Sequence, residues 1–180
     1  MHSLRGHLLI SGASLWDPNF RRTVVLIGHH DEGGAVGVVL NQPSPVTVEE
    51  AVPVLAGLVE PGALLSIGGP VQPEAAVVLA DFAEPEHAEI IAVGSVGFLP
   101  EEVDPADMGP ILRARIFSGY SGWGPGQLEA ELAQDSWIVV SALPDDVFEE
   151  DPDKLWNDVL RRKGPGFELM RVMPVDPSQN

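Results

Sequence analysis

The chain has no cysteine. That excludes disulfides, thiolate metal sites and a cysteine nucleophile. It fits a reducing compartment without proving one, since cysteine is dispensable anywhere. Basic residues are scarce: 10 Lys and Arg stand against 27 Asp and Glu, for a formal net charge of −17. Such a surface repels a nucleic-acid backbone at long range, so direct nucleic-acid binding is disfavoured. Long apolar runs are also missing. Leu8-Leu9-Ile10 is too short for a signal-peptide core, and Ala75 to Ala80 falls far short of a bilayer span. Together these absences predict a soluble, cytoplasmic protein without a membrane segment.

What remains is ample for a core. With 180 residues, 44% of them hydrophobic, one domain is the default and no covalent staple is needed. We expect that domain over residues 1–173, followed by a flexible, Pro-rich polar tail at 174–180. The 19 Gly and 17 Pro are spread along the chain and punctuate short elements.

Thr23 to Ile27 and Ala35 to Leu40 are β-branched runs around Asp31-Glu32-Gly33-Gly34, which predicts a hairpin. Further strands are expected at Gly6 to Ser11, Ala63 to Ile67, Ala75 to Ala80, Glu89 to Val93, Ile111 to Phe117 and Trp137 to Ser141, with another suggested at Phe167 to Val172. Several are apolar on both faces, as strands covered on both sides are. Helix signals are fewer. Asp151-Pro152 gives an N-cap and a proline at the first helical position. Leu155, Trp156, Val159 and Leu160 then form one face, and Gly164-Pro165 stops the run. Thr47-Val48-Glu49-Glu50 reads as a capping box, with Pro53 keeping that helix short. Pro125 opens a third helix carrying Leu128 and Leu132. Strands and helices do not alternate regularly, so the expected class is α+β, with curved sheets and three to four helices packed on them.

The most distinctive segment is Gly-rich, Phe117 to Glu129. It reads as leaving a strand and entering a helix, an arrangement that cradles phosphate when the helix N-terminus is open. It has neither the P-loop nor the dinucleotide spacing, and Glu129 and Glu131 oppose an anion. The structural alternative is a tight turn anchored by Trp123. A second turn, Gly68-Gly69-Pro70-Val71-Gln72-Pro73, and the polar Asn41-Gln42-Pro43 after the hairpin offer amide groups, which in turns more often bond backbone. If these turns meet in one cleft, the ligand-binding candidates are Asn41, Gly69, Gln72, Tyr120, Trp123 and Gln127. His29 and Asp31 share a hairpin tip but are too few to hold a metal. The acidic run from Asp145 to Asp153 lacks calcium-loop spacing and reads as a solvated surface with a helix cap. No serine lies in a nucleophile elbow. Arg21-Arg22 is too small a basic spot to attract nucleic acid. No catalytic residue, metal or cofactor is expected.

Five segments in order carry a resemblance: Leu15-Trp16-Asp17-Pro18-Asn19-Phe20, Thr23 to Ile27, Gly37 to Pro43, Gly68 to Pro73 and Gly119 to Glu129. Over about Gly6 to Val172 the chain resembles the bacterial YqgE/AlgH family. The resemblance implies one α+β domain of bifurcated, coiled sheets. It also implies the label of transcriptional regulator, which comes from a role in alginate regulation proposed in one lineage. It supplies no catalytic residues. Gln42 departs from an Arg common in the family, and Ser121 from a common Ala, so an anion held by that Arg elsewhere is not expected here. A non-enzymatic binding or regulatory protein, with an unspecified protein or small-ligand partner, is the favoured reading. A nucleotide- or ligand-handling enzyme is the rival, and a classical transcription factor is disfavoured for want of a helix-turn-helix.

Overall fold

The computed structural model describes residues 2–12 and 22–167. Leu15 to Phe20, Ser14, Arg21 and the 174–180 tail lie outside the described residues. So does the suggested final strand beyond Phe167; Phe167 itself ends a 3-10 turn, Pro165–Phe167.

The described residues build one mixed sheet of ten strands. In order these are β1 (His7–Ser11), β2 (Val24–Asp31), β3 (Gly34–Val39), β4 (Pro43–Thr47), β5 (Leu64–Ile67), β6 (Val71–Phe82), β7 (Ile90–Val93), β8 (Val96–Phe98), β9 (Ile111–Trp123) and β10 (Trp137–Ser141). The helices are α1 (Val48–Ala51), α2 (Gln127–Ala133), α3 (Pro144–Phe148) and α4 (Pro152–Lys163). The sheet runs β10-β1-β2-β3-β9-β6-β8-β7, with β5 joining β9 in parallel and β4 pairing β5. The class is α+β, as the irregular alternation of strands and helices predicts. No helix among the described residues is long and apolar enough to cross a membrane.

The expected hairpin forms, with Asp31 paired to Gly34 across the turn. β1 and β2 are buried on both faces. Leu8, Ile10 and Leu26 face a core shared with Leu155, Trp156, Val159 and Leu160 of α4. Leu9, Val25 and Ile27 face the opposite core, with Trp123, Leu128 and Trp137. Alternate residues of a strand point to opposite faces, so continuous apolar runs are what a two-sided burial requires. α4 starts as read: the Asp151 side chain accepts from the N–H groups of Asp153 and Lys154. Each of its four buried side chains adds roughly 1.5–3 kcal/mol by leaving water.

The sheet branches at β9. The first part of this strand pairs β6 antiparallel, whereas Ser121 to Trp123 pair β3. Glycines make the branch. Gly119 has φ +69°, and a Cβ there would lie 2.6 Å from Gly69 O; one at Gly68 would lie 2.3 Å from Gly119 O. The Ser121 hydroxyl, fully buried, donates to Gly68 O at 3.1 Å. The Gly-rich segment was expected to turn after Phe117. Instead the strand continues to Trp123 and only residues 124–126 form the connection to α2. Glycine here lets two backbones approach within a sheet and does not reverse the chain.

The acidic run is also not simply a solvated surface. Asp146 is buried, takes a two-pronged bond from Arg162 and accepts the N–H of Leu143 that begins α3. Sequence reading missed α3, β4 and β8. The first is five residues long, the second contains two prolines and the third has three residues.

Candidate functional site

The sheet curls until its two halves face one another. Gly28 interrupts the β2–β3 register and admits the Phe98 ring of β8. Gly6, before β1, lies against Ala92 of β7: a Cβ there would be 2.8 Å from Ala92 O. Between β2–β3 and β6–β8 the curl leaves an apolar groove of about 390 Å³. Val36 and Val38 line one wall, Ala76 to Val78 and Phe98 the other, with Tyr120 also in the lining. Glu89 and Glu101 are its acidic members, and His29 and Tyr120 its other titratable ones. A second hollow, of about 650 Å³, shares Ala76, Val78, Leu99 and Glu101 with the first and runs on past Val54, Val103 and Asp104. Val54 is 87% exposed. Among the described residues, neither hollow is lined by Lys or Arg.

The six candidate residues distribute unevenly. Gly69, Gln72 and Tyr120 meet at the branch: Val71 pairs Tyr120, and Gly69 lies against the Tyr120 backbone. Gln72 follows on the surface with φ +45°. Asn41 flanks the same region but turns its amide to backbone, with Oδ1 accepting from Val24 N and Nδ2 donating to Arg22 O, both at 2.8 Å. Trp123 and Gln127 stand at the other end, around α2. There the Trp123 indole donates to Glu131 at 2.9 Å, and Gln127 bridges Gly124 N–H and Glu131. Gln127 thereby occupies the amide at the α2 entrance where a phosphate would sit. Of the six, Tyr120 alone lines the groove. It is the chain's single tyrosine, and its apolar ring with a polar tip suits a wall that orients a ligand.

His7, His29, His30 and His87 pair with carboxylates or backbone. His29 Nε2 lies 2.9 Å from Asp31, whose carboxyl is held below its ordinary range by the Gly33 N–H and by His29. His30 is buried; its Nδ1 accepts from Leu4 N–H at 3.0 Å, so Nε2 carries the proton donated to Glu129 at 2.8 Å. Burial pushes the Arg115 pKa down to about 10 against the pull of Glu150 and Glu149. It remains a cation at neutral pH, donating to Val147 O and Glu149 O at the end of α3 and to Ser66. Cations are favoured at helix C-termini, so Arg115 ties α3 to β9.

Sequence reading missed the groove because its walls are ordinary strand residues. Val36, Val38 and Phe98 carry no signal that separates a groove wall from a core, and only folding brings Glu89 and Glu101 to one rim.

Comparison with known proteins agrees with this architecture. Residues 8–168 match the family described as AlgH-like. A UPF0301 protein of Streptomyces coelicolor is 43% identical over 186 aligned positions, covering 99% of this chain and 96% of its own. A UPF0301 protein of Mycobacteroides abscessus is 39% identical, covering 99% and 89%. Among solved structures, the crystal structure of protein DIP2367 from Corynebacterium diphtheriae superposes with a TM-score of 0.85 at 27% identity, covering 96% of this chain and 94% of its own. The solution structure of the AlgH protein from Pseudomonas aeruginosa gives 0.73 at 29% identity, covering 97% of both. With the family match spanning nearly all the described residues and relatives at this identity over most of their length, the chain belongs to the AlgH-like family.

Proposed function

We propose that this AlgH-like protein works by binding, and that its binding surface is the apolar groove between the two halves of the curled sheet. The observation that carries this is the groove itself: an open apolar hollow beside the short strand β8, rimmed by exposed carboxylates and continuous with exposed Val54 and Val103. Contiguous exposed apolar surface ringed by polar groups marks binding sites. Tyr120 is the one sequence candidate we retain in the site, as the residue that orients the occupant. We place the protein in the cytoplasm on the grounds of its cysteine-free, anionic composition. Any regulatory role is then exerted through a partner and not through contact with duplex DNA, which the −17 charge repels.

The test is a titration with Nile red, a neutral apolar dye, on the full chain. The expected result is saturable fluorescence enhancement that Val36→Trp weakens roughly tenfold, since a larger side chain fills the wall. Val36 is 38% exposed, so the variant keeps the fold, which far-UV circular dichroism verifies. No enhancement, or enhancement indifferent to Val36→Trp, removes the groove as the site.

A further inference from the structure

We infer that the groove receives an extended peptide with alternating apolar and basic residues, which adds as a strand to the free edge of β6. The inference deepens the groove reading and rests on it.

β6 is a long strand with a short neighbour. On one side it pairs β9 through most of its length, but on the other β8 covers only Leu79 to Asp81. The last backbone bond on that side runs from Leu99 N–H to Val78 O at 3.0 Å. β8 itself ends at Phe98 and the chain turns at Glu101-Glu102, where Pro100 and Glu101 line the second hollow together with Ala75 and Ala76. Among the described residues no strand covers Ala75 to Val77 on that edge. Val78 and Phe82 both address the β8 side, with Phe82 N–H donating to Ser95 O at 3.0 Å. The two-residue period of a strand therefore aims the Ala76 N–H and C=O the same way. Ala76, Val78 and Leu99 line both hollows, so the vacant strand position and the apolar trough coincide. Unpaired edges beside pockets for alternate side chains are how sheets capture extended peptides.

Charge selects the occupant. The acidic groups at the two hollows are Glu89, Glu101 and Asp104; Glu89 and Glu101 are exposed and make no ion pair among the described residues. The other titratable side chains there are His29, already paired with Asp31, and Tyr120. A second copy of the chain would bring another −17 charge against this rim, whereas Lys or Arg would meet it favourably.

The experiment uses the full chain and labelled peptide pools about eight residues long, the length of an ordinary strand. One pool alternates Val, Ile, Leu or Phe with Lys or Arg. A matched pool replaces the basic positions with Glu, and a third is the basic pool N-methylated on alternate backbone nitrogens. The inference expects the basic pool to bind at least roughly tenfold more tightly than the acidic one, the N-methylated pool to lose that binding, and Glu89→Lys/Glu101→Lys to weaken it about tenfold. Equal binding of methylated and unmethylated pools overturns strand addition while leaving the groove reading intact. Equal binding of basic and acidic pools overturns the charge selection and with it the inference. A mass doubling on light scattering without peptide makes a second copy the occupant and overturns it too. If no pool binds while Nile red does, the peptide inference alone falls; if neither binds, the groove reading falls with it.

Discussion

Gly28 of β2 makes room for the ring of Phe98 on β8: a Cβ at position 28 would stand 2.3 Å from Phe98 Cε2. The two residues lie in opposite halves of the curled sheet, and both line the groove. Gly28→Ala must displace the ring. We expect a loss of about 1–3 kcal/mol, as for overpacked cores, read as a lower urea midpoint. Because Phe98 is only half-buried, the displaced ring narrows the groove, so Nile red enhancement falls as well. Adding Phe98→Leu restores part of the stability.

Asp146 and Arg162 form a pair of 2.7 and 2.8 Å bonds between α3 and the end of α4. The carboxylate side chain is 7% exposed and the guanidinium 29%. Removing one partner of a fully buried pair costs roughly 3–5 kcal/mol. Arg162 retains some water, so Asp146→Ala is expected to cost less, about 2–3 kcal/mol by the same reasoning. Equilibrium denaturation measures it. Arg162→Ala should cost a similar amount, and the double variant less than the sum of the two.

Glu131 Oε2 accepts the indole N–H groups of both Trp123 and Trp137, at 2.9 and 2.7 Å, and the two rings meet edge to face at 6.0 Å. Glu131→Ala removes this shared, charged acceptor. The expected loss is about 2–4 kcal/mol, the scale of two charge-assisted bonds. Tryptophan emission should shift to the red as water reaches the indoles. Glu131→Gln, which keeps an acceptor oxygen, should lie between the two.

Glu129 is held below its ordinary carboxyl value of 4.5 by a backbone N–H and by His30. A depressed folded value means stability that is present above the unfolded value and lost as pH falls through the folded one. The melting midpoint is therefore expected to decline as pH drops below about 4.5, and Glu129→Gln to flatten that part of the profile. Asp31, lowered by Gly33 N–H and His29, acts in the same direction, so Asp31→Asn should flatten it further. Thermal melts at stepped acidic pH measure both.

The elements legible in the sequence were those whose signals are local. Asp151-Pro152 and Gly164 bracket α4 because capping and proline geometry are decided within a turn. Asp31 to Gly34 announced its hairpin for the same reason. The doubly buried strands β1 and β2 were legible from their unbroken apolar runs. The branch was not, because Gly119 and Gly68 acquire their meaning only when β5, β6 and β9 converge. Asn41 illustrates the limit for sites. Its amide is as suitable for a ligand as for backbone, and only the positions of Val24 N and Arg22 O decide between them. The groove was invisible for the complementary reason that valine at the wall of a hollow and valine in a core are the same residue.

The pairing of β1 with β10 has a consequence for the order of events during synthesis. Leu9 lies opposite Val139, about 130 residues further along. The N-terminal strand therefore emerges from the ribosome long before one of its two flanking strands exists. Until β10 arrives, one edge of β1 stays open, and Leu9 lacks the Trp137 side of its core. Contacts so distant in sequence slow folding and prolong the exposure of unpaired strands. The early chain is thus at its most vulnerable to wrong pairing at its first strand, because Asp17, Asp31 and Glu32 are balanced by Arg5, Arg21 and Arg22 and the acidic excess that would hold nascent chains apart begins only at Glu49.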